Sequence, residues 1–223
     1  TGLSADIIEP ESEKEEWLIA DVPGDVNATL LKYKKIPNPH YDAQGRDCYW
    51  VTEKEWWYKL VFDASDVGNA EADLCLAGVD GHADIYLNNK YLGEMKNAFR
   101  QFRFNITGLL KSKKNVLLIR FKSIDQLLGG PRTDELSGWG ARKAFIRKPQ
   151  FSFGWDWSLP IPSIGLSGNV WIEYHNEFCI KEFSIQTFMN GRIDFSFEVS
   201  KGAKLSGYSI IINIDGYGLN ITK

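Results

Sequence analysis

The feature that most constrains this chain is the alternation of apolar and polar residues with period two, in short runs separated by turn residues. Successive strand side chains point to opposite faces of a sheet, so this period marks half-buried strands. In Trp57-Tyr58-Lys59-Leu60-Val61-Phe62, one face is Tyr58, Leu60 and Phe62. In Ala83-Asp84-Ile85-Tyr86-Leu87 it is Ala83, Ile85 and Leu87. Asn88-Asn89-Lys90 then reads as a tight turn, because Asn tolerates positive φ, and Tyr91-Leu92 returns as the partner strand. Further strands are expected at Phe99–Ile106, Val116–Phe121 and Val170–Tyr174, and Ile193, Phe195, Phe197 and Val199 alternate with polar residues near the end. Helical signals are weak: a short helix over Asp25–Tyr33 with Asp25 as N-cap. Leu127–Trp139, rich in Gly and polar residues, reads as a long loop. The pattern predicts an all-β chain built as a jelly-roll or similar β-sandwich.

The chain's 223 residues suffice for one large β-domain or two modest ones. A boundary is expected near His175–Phe178, giving domains over 1–175 and 176–223. The second holds about three strands where an immunoglobulin-like sandwich needs about seven. It therefore reads as the truncated beginning of such a domain.

Composition removes several classes of function. The net charge is −3, which argues against nucleic acid as a partner, since phosphate binding needs a clustered excess of Lys and Arg. Lys111–Lys114 is too short a run to alter this and reads as a solvated turn. No apolar stretch approaches the roughly 18 residues that span a bilayer, so no membrane is expected as a partner. The start lacks a basic stretch followed by an apolar one, so no signal peptide is visible, and it also lacks Met. Cys48, Cys75 and Cys179 have no tight spacing and sit among apolar residues, so they are expected to be buried free thiols rather than a disulfide framework or zinc site. The lack of cysteine pairs leans toward a cytoplasmic or bacterial setting. His40 and His82 have no second ligand at useful spacing, so neither metal nor cofactor is expected. Gly129-Gly130-Pro131 lacks the strand–loop–helix context of a phosphate cradle.

The eight Trp residues are unusual. Six of them cluster, as Trp50, Trp56 and Trp57, then Trp139, Trp155 and Trp157. Composition alone favours sandwich core, but indoles are also the flat platforms on which sugar rings stack.

Several sequence blocks follow one another in a set order along the chain. They are Val22-Pro23-Gly24-Asp25-Val26, Ile36-Pro37-Asn38-Pro39 with Tyr41, Trp50-Val51, Trp56-Trp57-Tyr58, and Leu76-Ala77-Gly78-Val79-Asp80. Ala83–Asn88, Leu92-Gly93, Asn97-Ala98-Phe99-Arg100 and Phe104 follow, and Arg147-Lys148-Pro149 precedes Phe153-Gly154-Trp155-Asp156-Trp157. Their order and spacing resemble glycoside hydrolase family two, and most of all its β-mannosidases, over roughly 15–175 and more loosely the tail. The resemblance implies a galactose-binding-like jelly roll followed by the start of an immunoglobulin-like domain. It also implies a parent enzyme that removes terminal β-linked sugars, with a C-terminal catalytic barrel of the same chain as partner and carbohydrate as ligand. One departure stands out. The family usually has Gly, an apolar residue, Trp and Arg after the Trp-Asp-Trp block; here the stretch is Gly165-Leu166-Ser167-Gly168.

Glycoside hydrolysis of this type needs two carboxylates, about 5–5.5 Å apart in retaining enzymes. The resemblance places both on the barrel, so no catalytic residue is expected here and the chain alone should be inactive. Glu53 and Glu55, flanking Lys54, read as an exposed turn. The candidate substrate-binding residues are Trp155, Asp156 and Trp157. A carboxylate accepts hydrogen bonds from sugar hydroxyls while flanking indoles cover the ring's apolar face. The competing reading makes both Trp core residues on one strand face, with Asp156 capping a turn. Arg147 and Lys148 could line the same mouth, but two basic residues in a loop are usually solvated. The competing function is a stand-alone carbohydrate-binding module.

Overall fold

The computed structural model describes residues 17–64, 70–133, 138–175, 180–199, 211–214 and 219–222. The chain divides into two compact units, Thr1–Tyr174 and His175–Lys223.

In the first unit, β1 (Gly24–Asp25) leads into helix α1 (Val26–Lys32), and a 3₁₀ helix at Gln44–Glu53 precedes β2 (Trp56–Phe62). Asp25 is the expected N-cap: its Oδ1 accepts from the Ala28 N–H at 2.6 Å. Then come β3 (Glu71–Leu76), β4 (Ala83–Leu87), β5 (Lys90–Met95), β6 (Phe102–Asn105) and β7 (Asn115–Phe121). Helix α2 (Ile124–Leu127), 3₁₀ helices at Gly140–Phe145 and Gln150–Phe153, β8 (Gly165–Leu166) and β9 (Val170–His175) complete the order. The main layers are a four-stranded sheet, β2-β7-β4-β5, and a three-stranded sheet, β6-β3-β9.

The alternation read from the sequence decides what lies between them. Ala83, Ile85 and Leu87 are buried, as are Leu117, Ile119 and Phe121 on β7, and all join one apolar cluster with Leu74, Leu76 and Ile106. The hairpin turn has positive φ at both Asn88 and Asn89 (51° and 69°), the geometry of a two-residue turn that matches strand twist. Asn88 does more than turn the chain. Its amide donates to Leu109 O at 2.7 Å and its Oδ1 accepts from the Val116 N–H at 2.9 Å. Gly93 is required for packing: a Cβ there would lie 2.8 Å from the Phe104 ring.

Three expectations shift. β6 is shorter than Phe99–Ile106, because residues 97–100 leave the ladder for a turn. Leu60 shares a face with Tyr58 and Phe62 but remains exposed, since β2 is an edge strand. Of the eight Trp, only Trp139 is fully buried, at 1% exposure. Cys48 and Cys75 are buried free thiols, whereas Cys179 lies outside the described residues.

In the second unit, β10 (Ile180–Thr187) pairs antiparallel with β11 (Ile193–Val199), and β12 (Ile211–Ile214) with β13 (Leu219–Thr222). The first pair sets Phe183 opposite Phe197 and Ile185 opposite Phe195, so one face of the hairpin is apolar.

Candidate functional site

The segment between β7 and β8 carries the candidate residues, and it is held from below by a buried aromatic pair. Trp139 and Phe153 meet edge to face, 5.5 Å between centroids and 86° between planes. Phe153 is 0% exposed. The Trp139 indole N–H donates to Asp125 Oδ1 at 3.0 Å, and Thr52 Oγ donates to the same oxygen at 3.2 Å. Burial raises the Asp125 carboxyl above its ordinary value, and these two donors only partly offset that. Arg132 lies over the Tyr49 ring at 3.6 Å and donates to Pro160 O at 2.7 Å, which ties the returning chain to the 3₁₀ helix at Gln44–Glu53.

Above this footing, Gly154 turns the chain with φ 111°, a conformation other residues adopt only with strain. Trp155 and Ser158 then exchange two backbone hydrogen bonds of 3.1 Å, closing a tight turn with Asp156 and Trp157 at its tip. Trp155 is 61% exposed, Trp157 71%, and Asp156 is exposed too. The reading of both indoles as core is therefore overturned. Residues 155 and 157 are two apart, as on one strand face, but Trp155 opens a turn and Trp157 sits at its tip. Trp157 instead leans on Phe151, 5.2 Å away between centroids. With exposed Phe145, they give this segment an aromatic surface beside an exposed carboxylate. An arrangement of exposed indoles flanking a carboxylate can stack on a sugar ring and accept from its hydroxyls.

Arg147 is exposed, near the Phe99 ring at 6.0 Å. Lys148 corrects the expectation of a solvated loop: it is 2% exposed. Its ammonium donates to Asp80 Oδ1 at 2.6 Å and to Ser163 O at 2.8 Å. Burial pulls the ammonium below its ordinary value, and Asp80 acts against that. Glu53 is exposed as expected, but Glu55 is half-buried and pairs with Arg120 at 2.5 Å. Glu55 is thus engaged as one half of an ion pair.

The Ser167-Gly168 departure is matched by its surroundings. A Cβ at residue 168 would lie 2.7 Å from the Ala77 Cβ and 2.8 Å from the Gly78 backbone N. A long side chain at this position does not fit this backbone. Ser167 donates its N–H to Gly78 O at 3.1 Å, so the two segments cross closely here.

A groove of about 850 Å³ runs along the β2 edge, lined by Trp17, Trp57, Leu60, Leu117, Leu166 and Val170 among others. Its walls are mostly apolar, which suits a polyol poorly, since buried hydroxyls need partners. None of Trp155, Asp156 and Trp157 lines it.

Two sheets packed over one apolar cluster define a β-sandwich with long connecting loops. The family model described as "Glycosyl hydrolase 2 galactose-binding domain-like" matches residues 8–168, and the chain belongs to this family. It is 29% identical over 218 residues to the beta-mannosidase of Capra hircus, covering 87% of this chain and 24% of that protein. It is 27% identical over 229 residues to a probable beta-mannosidase of Caenorhabditis elegans, covering 91% and 25%. The crystal structure of the beta-D-mannosidase from Dictyoglomus thermophilum superposes with a TM-score of 0.73 at 27% identity, over 83% of this chain and 24% of that one. The chain thus spans about a quarter of the length of these relatives.

Proposed function

We propose that this chain is the front part of an exo-acting glycoside hydrolase that cleaves terminal β-linked sugars, β-mannosides foremost. In this reading the turn at Trp155, Asp156 and Trp157 contacts the terminal sugar. A following (β/α)₈ barrel supplies the two catalytic carboxylates, and these residues by themselves hydrolyse nothing. The observation that carries the reading is the outward presentation of Asp156 between two exposed indoles, on a turn rooted in the buried Phe153–Trp139 pair. The names of the relatives support the substrate class.

The second unit is read as the beginning of an immunoglobulin-like domain that joins the sandwich to the barrel. Its hairpin has an apolar face at Phe183 and Ile185, both exposed. A lone hairpin is marginal in water, so further strands of a sandwich are the natural cover. The exposed aromatic surface around Phe145, Phe151 and Trp157 suits a partner that combines apolar contact with sugar binding.

The test has two arms. Reading the coding sequence beyond Lys223 should find ~400 residues that alternate strand and helix, and the whole protein should release phenol from an aryl β-mannoside. The 223-residue chain alone should release no more than buffer. A stop codon after Lys223 would favour a stand-alone carbohydrate-binding module, and turnover by the chain alone would overturn the division of labour.

A further inference from the structure

The excursion that bears the turn leaves the sandwich at Lys148 and comes back at Ser163. Both ends meet at one ammonium group. Lys148 Nζ donates to Asp80 Oδ1 at 2.6 Å, to Ser163 O at 2.8 Å and to Ser163 Oγ at 3.3 Å. An ammonium has three protons, and each has an acceptor here. Ser163 Oγ donates its own proton to the second oxygen of Asp80. Asp80 is in turn fixed by a backbone pair with Gly165, at 2.9 and 3.1 Å. The Phe153 ring, root of the turn, has its centroid 5.9 Å from the same ammonium. Gln150 reinforces the departing segment, its side-chain NH2 donating to Lys143 O and Ile146 O, both at 3.1 Å.

A buried ion pair is a poor source of stability, because desolvation of both charges offsets their attraction and an apolar replacement is often neutral or better. What such a pair supplies is a fixed geometry. Here the geometry fixed is the separation between the start and the return of the loop, and the placement of both on Asp80.

We infer that Lys148, with Asp80 and Ser163, is the positioning group for the Trp155–Ser158 turn: a clasp that holds the sugar-contacting residues at a set place on the sandwich. This rests on the reading of that turn as sugar-contacting, but its test needs no sugar, so the two can fail separately.

The test is residue-resolved amide hydrogen exchange on the 223-residue chain. The reporters are Ser152, Gly154, Trp155, Ser158 and Ile161 in the loop, and Ile85 and Ile119 in the four-stranded sheet. In Lys148→Met the loop amides should exchange at least about tenfold faster relative to the sheet amides, as expected when one segment opens without the rest. The double variant Lys148→Met/Asp80→Asn removes the unpaired carboxylate that the single variant leaves buried. Its melting temperature should recover toward that of the unsubstituted chain while the loop amides stay fast. A purely structural pair predicts that both recover together. Ser163→Ala, which keeps both charges, should speed the loop amides alone, and it carries the test if Lys148→Met does not fold. The clasp is overturned by equal acceleration of sheet and loop, by loop protection regained in the double variant, or by unchanged loop exchange in Ser163→Ala.

Discussion

Removing the Phe153 ring should cost far more stability than removing the Trp155 ring, although the two lie two residues apart and both are large aromatics. Phe153 is wholly buried, with its edge-to-face partner Trp139 on one side and the Lys148 ammonium on another. Phe→Ala at such a site combines lost transfer energy with a residual cavity, typically about 3–5 kcal/mol. The lost aromatic pair adds to this only in part, since such pairs contribute about 0.5–1.5 kcal/mol beyond area. A value near 4 kcal/mol follows, a large share of the roughly 5–15 kcal/mol by which a domain is stable. Trp155 is mostly in solvent, so Trp155→Ala should fall within about 0.5 kcal/mol. Urea unfolding of each variant, followed by far-ultraviolet circular dichroism, separates the two. With a slope of about 2 kcal/mol per molar, the Phe153→Ala midpoint should drop by about 2 M and that of Trp155→Ala by at most about 0.25 M. Equal drops would refute the assignment of one ring to the footing and the other to the surface.

Burial raises the Asp125 carboxyl in the folded chain, so its proton is held more tightly there than in the unfolded chain, where the ordinary value of 3.8 applies. Its contribution is fully present below that value and is lost as pH rises through the folded one, so Asp125→Asn should flatten the fall in melting temperature over that window; an unaltered profile contradicts this. Glu94 shows the opposite case. Hydrogen bonds from Lys122 and Lys96 hold its carboxyl down to about 2, so its nuclear magnetic resonance titration should show a midpoint near there, and one at 4 or above would contradict the pairing. Burial pushes the Cys75 thiol up to about 11. Iodoacetamide at pH 8 should leave it unmodified in the folded chain and label it after unfolding; rapid labelling in the native state would contradict its burial.

How much of this was legible in the sequence depends on how local the determinants are. The hairpin at Asn88-Asn89, the apolar face of Ala83, Ile85 and Leu87, and the Asp25 cap rest on neighbours within a few residues, and their residue types state the geometry directly. The burial of Lys148 rests on Asp80, 68 positions away. Nothing beside Lys148 in Arg147-Lys148-Pro149 distinguishes it from a solvated pair. The orientation of Trp155 and Trp157 is ambiguous for a different reason: residues two apart share a face on a strand, but in a turn one can open it while the other sits at its tip. Gly154 was the available signal, since a glycine inside an apparent strand marks a turn or bulge. The Asp125 carboxylate under Trp139 had no local signature, because its partner lies across the loop at Leu127–Trp139 that periodicity leaves blank.

The central claim is that Asp156 serves a sugar rather than the fold, and the most direct measurement is Asp156→Ala made twice. In the whole enzyme proposed above, loss of a charge-assisted hydrogen bond of about 1.5–3 kcal/mol that tightens in the transition state should lower kcat/KM by about 10- to 100-fold. In the 223-residue chain the same change should leave thermal unfolding in place, because the carboxylate is exposed at the tip of its turn. Intact activity with a destabilised chain would make Asp156 a structural cap and contradict the account.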